Sequence, residues 1–296
     1  MNNTNQIDSI RTIVETALKE DIGKGDLTSL ACLEPNPMNA QIKAKSDGII
    51  SGIKPVLFAF DIVDSANIIR PLKNDGDSYN YGDVIFEIEG FNQTILTVER
   101  TAINFLGHLS GIASLTHEYV KKVSGTDCKI LDTRKTTPGL RMLEKDAVRH
   151  GGGVNHRIGL YDMILIKDNH ISSAGSITNA IKQTKEFLET SDFRLQFDEQ
   201  KENIEIEVEV ATQEQLSEAI DCGVMRILLD NQSLGSLQSM VQKARRLNPQ
   251  VKLEASGNVN LETVAQIAQT GVDFISIGAL THSAPTADFT LLTDEA

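Results

Sequence analysis

Beyond Cys128 the chain passes through six short apolar runs, most of which close on polar or charged residues or a turn glycine: Ile130–Arg134, Met163–Lys167, Ile206–Val210, Ile227–Asp230, Leu253–Gly257 and Phe274–Gly278. Segments with helical spacing, Gln213–Cys222, Leu234–Leu247 and Leu261–Thr270, separate most of them. Strand alternating with helix predicts a parallel sheet. Strand after strand ending in functional groups predicts a barrel whose chemistry lies at the carboxyl-terminal mouth.

The first third of the chain has a different texture. Ile10, Ile13, Val14, Ala17 and Leu18 fall at helical spacing and predict an amphipathic helix over Ile7–Lys19. From Ala40 to Glu89, short alternating runs (Gln41–Ser46, Gly48–Gly52, Val84–Ile88) are broken by Asp47-Gly48, Asp75-Gly76 and Tyr81-Gly82-Asp83, which predicts a small antiparallel sheet. Asn92–Tyr119 returns to helical spacing. Lys185–Asn203 is charged and weakly patterned, and reads as an exposed connector.

Composition narrows the function. At 296 residues there is enough chain for one large domain or two unequal ones. A formal net charge of -13 argues against nucleic acid and anionic membrane as partners. Any anion site must then be a local basic cluster. Cys32, Cys128 and Cys222 are far apart and lack metal-ligand spacing, which fits reduced thiols and a cytoplasmic protein. Met1–Asp8 is polar, and no run approaches a membrane span.

The basic cluster is found between Leu131 and His170. Arg134 and Lys135 follow one strand, Arg157 follows the glycine-rich Gly151-Gly152-Gly153, and Lys167 ends another strand. Parallel strands would bring these cations to one rim, where only a multiply charged anion offsets their repulsion. Arg141, Lys145 and Arg149 fall on a helical segment and read as surface cations. In Glu205-Ile206-Glu207-Val208-Glu209-Val210, alternation places the three glutamates on one face. If the apolar face meets the helices, they point into the barrel and need cations; otherwise they form a solvated edge. Glu209 with Asp230, at the end of the next strand, makes a carboxylate pair suited to hydrated Mg²⁺ shared with a phosphorylated substrate. Ser256-Gly257-Asn258 and Ile277-Gly278-Ala279 follow the last two strands and offer backbone N–H groups to a phosphate. His156 and His170 lie beside cations; His108 and His117 read as structural.

The string Asp132-Thr133-Arg134-Lys135-Thr136-Thr137-Pro138-Gly139-Leu140-Arg141, followed by Gly153-Val154-Asn155-His156-Arg157 and Lys167-Asp168-Asn169-His170, closely resembles the quinolinate phosphoribosyltransferases, also called nicotinate-nucleotide pyrophosphorylases (carboxylating). Glu99-Arg100-Thr101-Ala102, Glu207-Val208-Glu209-Val210, Leu229-Asp230-Asn231 and Glu254-Ala255-Ser256-Gly257 follow the family order, and Gly25-Asp26-Leu27-Thr28 matches its N-terminal signature. The resemblance covers nearly the whole chain. It implies an α/β protein of type II phosphoribosyltransferase architecture. An N-terminal α/β sandwich (1–110) would precede an α/β barrel with fewer than eight strands (111–279), and the tail (280–296) would return to the first domain. It implies transfer of phosphoribosyl from phosphoribosyl pyrophosphate to quinolinate with loss of CO₂, giving nicotinate mononucleotide for NAD biosynthesis, with Mg²⁺ as cofactor. It also implies a homodimer or hexamer whose sites are shared between chains. Arg134, Arg157 and Lys167 would bind the quinolinate carboxylates, with Arg100 from the other subunit. Thr133, Lys135 and His156 would lie near the dicarboxylate and pyrophosphate. Glu209 and Asp230 would serve the ribose and Mg²⁺, and the two glycine segments would hold phosphate. Lys135, Lys167, Glu209 and Asp230 are the residues expected to act in the chemistry. Ala211-Thr212 stands where relatives carry an acidic residue. Alternatives are a relative of the same fold associated with molybdate transport, a Schiff-base lyase using Lys167, and a carrier module suggested by Ala44–Gly48.

Overall fold

The computed structural model describes residues 3–197 and 204–294. It divides into two units, each built from discontinuous stretches. The first holds the chain up to Glu118, Lys135–Gly153, and everything from Ala279 onward; the second holds Tyr119–Arg134 and Val154–Gly278.

In the first unit, α1 (Asn3–Ile22) buries Ile10, Val14 and Leu18, the stripe its spacing predicts. Asp26 caps α2 (Leu27–Cys32): Oδ1 accepts from the Thr28 and Ser29 N–H groups at 3.0 and 3.1 Å. The main sheet has the order β12-β1-β5-β3, formed by β1 (Pro37–Ala44), β3 (Ile68–Pro71), β5 (Val84–Phe91) and β12 (Phe289–Thr293). All of its pairings are antiparallel. A two-stranded ribbon joins β2 (Gly48–Ile49) to β4 (Ser78–Tyr79).

Between ribbon and sheet runs a helix, α3 (Ile53–Val63), where the alternation reading placed only strands and turns. Gly52 and Pro55 look like breakers. In the fold, Gly52 takes φ 111° and Pro55 sits in the first turn, where its missing N–H costs nothing. The Asp75 carboxylate supplies the cap, accepting from Gly52 N–H at 2.8 Å and Ile53 N–H at 3.1 Å.

The long helix α4 (Asn92–Lys122) carries a glycine notch for the returning tail. A Cβ on Gly107 or Gly111 would lie 2.7 Å from the Ala287 carbonyl oxygen or 2.1 Å from that of Pro285. Without side chains there, the tail crosses at backbone distance, and Ala287 N–H donates to Gly107 O at 3.0 Å. β12 then joins β1, with Ala44 opposite Phe289. The helix α5 (Arg141–His150) belongs to this unit because its buried face meets α4: Glu144 accepts from His108 at 2.8 Å, and Gly151 fits against Ala113. Lys145, read from the sequence as a surface cation, is 2% exposed. Lys145 lies with Glu144 on the buried side of α5, so the surface reading fails for Lys145, whereas Arg149 is exposed as read.

The second unit is a six-stranded, wholly parallel sheet of order β6-β11-β10-β9-β8-β7. Its strands are β6 (Lys129–Leu131), β7 (Ile164–Ile166), β8 (Ile206–Val210), β9 (Arg226–Asp230), β10 (Lys252–Ser256) and β11 (Phe274–Ser276). β6, first in sequence, lies beside β11, the last, and Val154 bridges to Leu131 on its flank. This is the strand order of an α/β barrel with six strands. The helices α6 (Asp168–Ala174), α7 (Ile177–Glu189), α9 (Gln213–Asp221), α10 (Leu234–Leu247) and α11 (Val264–Ala268) alternate with the strands. Thr212, at a position the resemblance makes acidic, caps α9 in a capping box with Gln215. The supposed connector is largely helical: α7 runs to Glu189 and α8 spans Ser191–Phe197, with Phe193 packed on Phe187 and Phe197. Its last part, 198–203, lies outside the described residues. No helix among the described residues is long and apolar enough to cross a membrane.

Candidate active site

The strand register determines which residues share the carboxyl-terminal rim of the second unit. Ser256 stands opposite Asp230 on one side and Ser276 on the other, and Ser276 stands opposite Leu131. On the far flank Ile166 pairs with Val208, so Lys167 comes beside Glu209. Asp132 to Arg134, Lys167, Glu209, Asp230, Ser256 to Asn258 and Ile277 are therefore residues of one end.

Within this rim the charges sort into two groups. Arg134 and Arg157 are near neighbours: burial, then the Arg134 charge, holds the Arg157 guanidinium below its ordinary value. Arg157 Nη1 donates to the Met163 carbonyl at 3.1 Å, and the Asp162 carboxylate accepts from Ile158 and Gly159 N–H at 2.7 and 2.8 Å. The Arg157 loop is thus built from its own groups. Two guanidiniums whose charges act on each other, with Arg157 partly out of water, are suited to receive a dianion.

The second group is acidic. Lys167 Nζ lies 3.6 Å from Glu209 Oε2, and Lys167 N–H donates to His170 Nδ1 at 2.9 Å, which sets the turn after β7. Burial pushes the Glu209 carboxyl above the usual range; Lys167 opposes this and Asp230 adds to it. Asp230 accepts from Ser256 Oγ at 3.0 Å and Asn231 Nδ2 at 2.8 Å. Glu209 and Asp230 are hard oxygen donors close enough to repel each other, and a hydrated divalent cation fits them.

The segment after β10 folds around left-handed backbone. Gly257 has φ 96°, while Asn231 and Asn258 have φ 50° and 52°. A Cβ on Gly257 would fall 2.0 Å from Asn231 Oδ1, so only glycine fits against that side chain. Ile277 N–H is spent on the Leu131 carbonyl at 2.9 Å, so Ile277 itself has no backbone donor to offer a phosphate. Lys135 and Ala279, the next residues after Arg134 and Gly278, belong to the first unit. Lys135 is exposed, and its carbonyl accepts from Thr281 Oγ1 at 2.9 Å. Arg100 is also in the first unit, on α4, with a side chain 66% exposed and Glu99 at 4.0 Å.

Below the rim lies a charged layer of which sequence reasoning named the β8 glutamates but not Arg226 or Glu254. Arg226, at the start of β9, places Nε 3.2 Å from Glu207, Nη2 2.7 Å from Glu254 and Nη1 3.1 Å from Glu205. Its guanidinium also lies over the Phe274 ring at 4.7 Å. Glu207 and Glu254 are fully buried. Burial and Glu207 push the Glu254 carboxyl up to about 7, against His156 and Arg226. Of the glutamates read as facing the barrel, Glu207 is the one sealed inside. The signal for Glu254 was a carboxylate alternating with apolar residues in the strand Lys252–Ser256, two residues after the exposed Lys252. His156, Glu207 and Glu254 place ligand atoms within 4.8 Å of one another, but the cation they surround is Arg226. A separate apolar cleft of about 660 Å³, lined by Ile164, Ile166, Ala180 and Phe187, contains none of these charged groups.

Comparison with known proteins shows what the chain is similar to along both units. Residues 26–110 match the model for the quinolinate phosphoribosyl transferase N-terminal domain, and 112–292 match that for its C-terminal domain. The chain is 43% identical over 274 residues to the Bacillus subtilis probable nicotinate-nucleotide pyrophosphorylase (carboxylating), covering 92% of this chain and 89% of that one. It is 39% identical over 299 residues to the Arabidopsis thaliana chloroplastic nicotinate-nucleotide pyrophosphorylase (carboxylating), covering 96% and 83%. The solved nicotinate-nucleotide pyrophosphorylase of Francisella tularensis superposes with a TM-score of 0.88 at 36% identity over 97% of each chain. Strand order, rim chemistry and similarity along both units place this chain in the quinolinate phosphoribosyl transferase family.

Proposed function

We propose that this protein joins quinolinate to the phosphoribosyl group of phosphoribosyl pyrophosphate and releases pyrophosphate and CO₂, forming nicotinate mononucleotide. The observation that carries this reading is the pairing of Arg134 with Arg157 on the same rim as Lys167, Glu209 and Asp230. A pyridine dicarboxylate matches the two guanidiniums. A sugar phosphate that develops positive charge at its anomeric carbon matches the carboxylates. Lys167 is half exposed and ion-paired with Glu209, so it lacks the desolvated pocket that a Schiff-base amine requires.

In this account Arg134, Arg157 and Lys167 hold the two carboxylates and aim the pyridine nitrogen at the anomeric carbon. The bond from that carbon to pyrophosphate breaks, and the nitrogen lone pair forms the new one. Glu209 and Asp230 stabilise the oxocarbenium character between the two events. When the 2-carboxylate departs as CO₂, the electron pair of the broken bond stays on C2, where the adjacent quaternised nitrogen stabilises it by its positive charge, and a proton from solvent then forms the C2–H bond. Thr133, Lys135 and the backbone at Ser256–Asn258 and Gly278–Ala279 bind the phosphates. Glu209 and Asp230 would hold Mg²⁺, directly or through water, and a cation there would supply charge neutralisation for the departing pyrophosphate. Two copies form the working unit, with Arg100 reaching the partner's site; its exposure on α4 suits this role. The three free cysteines fit the cytoplasm. Incubation with quinolinate, phosphoribosyl pyrophosphate and Mg²⁺ tests the reading: nicotinate mononucleotide and CO₂ should appear in equal amounts, and their absence would reject it.

A further inference from the structure

The imidazole of His156 has two hydrogen-bonding nitrogens, and the protein engages both. Arg157 N–H donates to Nδ1 at 2.7 Å. A backbone amide can only donate, so Nδ1 carries no proton and Nε2 does. Nε2–H then meets Glu207 Oε2 at 3.0 Å, with Glu254 Oε2 at 3.5 Å. The backbone N–H of His156 is itself held by the buried Asp132 carboxylate at 2.8 Å. The side chain is 8% exposed. Ring and backbone are thus committed to the protein, and the group they fix is the peptide that carries Arg157.

We propose that His156 is a positioning residue that clamps Arg157 to the buried Glu207–Arg226–Glu254 layer and does not itself bind substrate. The layer is stiff because one guanidinium spans both buried carboxylates. Any movement of that layer passes through the ring to the Arg157 peptide. The clamp serves the dicarboxylate reading of the Arg134–Arg157 pair and rests on it for its effect on catalysis, whereas the tautomer of the ring does not depend on that reading.

Two measurements on the full-length protein test the clamp. The first is nitrogen-detected NMR of ¹⁵N-histidine-labelled protein, with the His156 signals assigned by their loss in His156→Asn. The expected result is a neutral ring with the proton on Nε2, unchanged when pyridine-2,3-dicarboxylate is added to saturation. A proton on Nδ1, or a change of protonation on adding the dicarboxylate, would overturn the proposal. The second compares two replacements. Asn can put its Oδ1 where Nδ1 stands and still accept from Arg157 N–H; Gln reproduces the Nε2–H donor and leaves Arg157 unheld. His156→Gln should raise KM for the dicarboxylate about 100-fold and His156→Asn no more than about 10-fold, with KM for the phosphoribosyl donor unchanged in both. The reverse order is expected of a ring that binds substrate through Nε2, and it would refute the clamp. If the unaltered protein binds and turns over no pyridine dicarboxylate, the substrate reading fails, while the tautomer of the ligand-free protein still decides for or against the clamp.

Discussion

Replacing Arg226 by Met removes the one guanidinium that lies within 3.2 Å of both buried carboxylates, Glu207 and Glu254. Breaking a buried ion pair from one side costs roughly 3–5 kcal/mol, because the remaining charge is stranded. Against a typical total of about 5–15 kcal/mol, that is a large share of the stability. The loss should depend on pH in a defined direction. Glu254 titrates near 7 in the fold against an ordinary 4.5. The folded protein therefore holds an extra proton between those values, and its stability falls as pH rises through them. Without Arg226, both carboxylates hold their protons more tightly still. The difference between variant and parent should thus be small at about pH 5 and clearly larger at about pH 8, where the parent's Glu254 is mostly ionised. Urea unfolding at both pH values, followed by circular dichroism, measures it. Adding Glu207→Gln and Glu254→Gln to Arg226→Met should recover most of the loss, since no buried charge then remains. A cost below about 1 kcal/mol at the higher pH, or one that does not change with pH, would show that the layer is not the buried ionic cluster described here.

Three further outcomes follow from the same geometry. Gly257→Ala forces a left-handed backbone, at a cost of about 1–2 kcal/mol, and drives a methyl into Asn231; KM for phosphoribosyl pyrophosphate should rise while KM for quinolinate, measured at saturating co-substrate, stays near that of the parent. Glu209→Ala or Asp230→Ala should lower kcat by about 100-fold or more with the fold intact by circular dichroism, and excess chelator should abolish activity reversibly; full activity in chelator would remove the metal. Arg100→Ala and Lys135→Ala should each be inactive, yet mixed dimers of the two should recover up to about half of the parent activity per dimer, because both lesions fall in one of the two sites; mixed dimers confirmed by mass spectrometry but inactive would deny the shared site.

Much of the rim is legible in the sequence for one reason. A parallel barrel puts the end of every strand at the same mouth, so Arg134, Lys167, Glu209 and Asp230 are brought together by topology without knowledge of their exact contacts. The missing features are those for which local pattern carries no sign. α3 is apolar over most of its length and is flanked by Gly52 and contains Pro55, so its period is masked and its cap comes from Asp75, 22 residues beyond Ile53. Lys145 is buried although lysine on a helix is ordinarily solvated. Arg226 and Glu254 lie on neighbouring strands, 28 residues apart in sequence, and only the register brings them together. The stretch after Lys185 reads as unpatterned because α8 has only seven residues, too few to show a period.

The central claim is that Arg134 and Arg157 form a receptor for two carboxylates on one pyridine ring. Comparing kcat/KM for quinolinate and for nicotinate, under saturating phosphoribosyl pyrophosphate and Mg²⁺, tests it most directly. Nicotinate lacks the 2-carboxylate, so it leaves one charged donor of the site without a partner. The ratio in favour of quinolinate should be on the order of 10⁴ or more. Comparable turnover of the two substrates would contradict the dicarboxylate site and the function built on it.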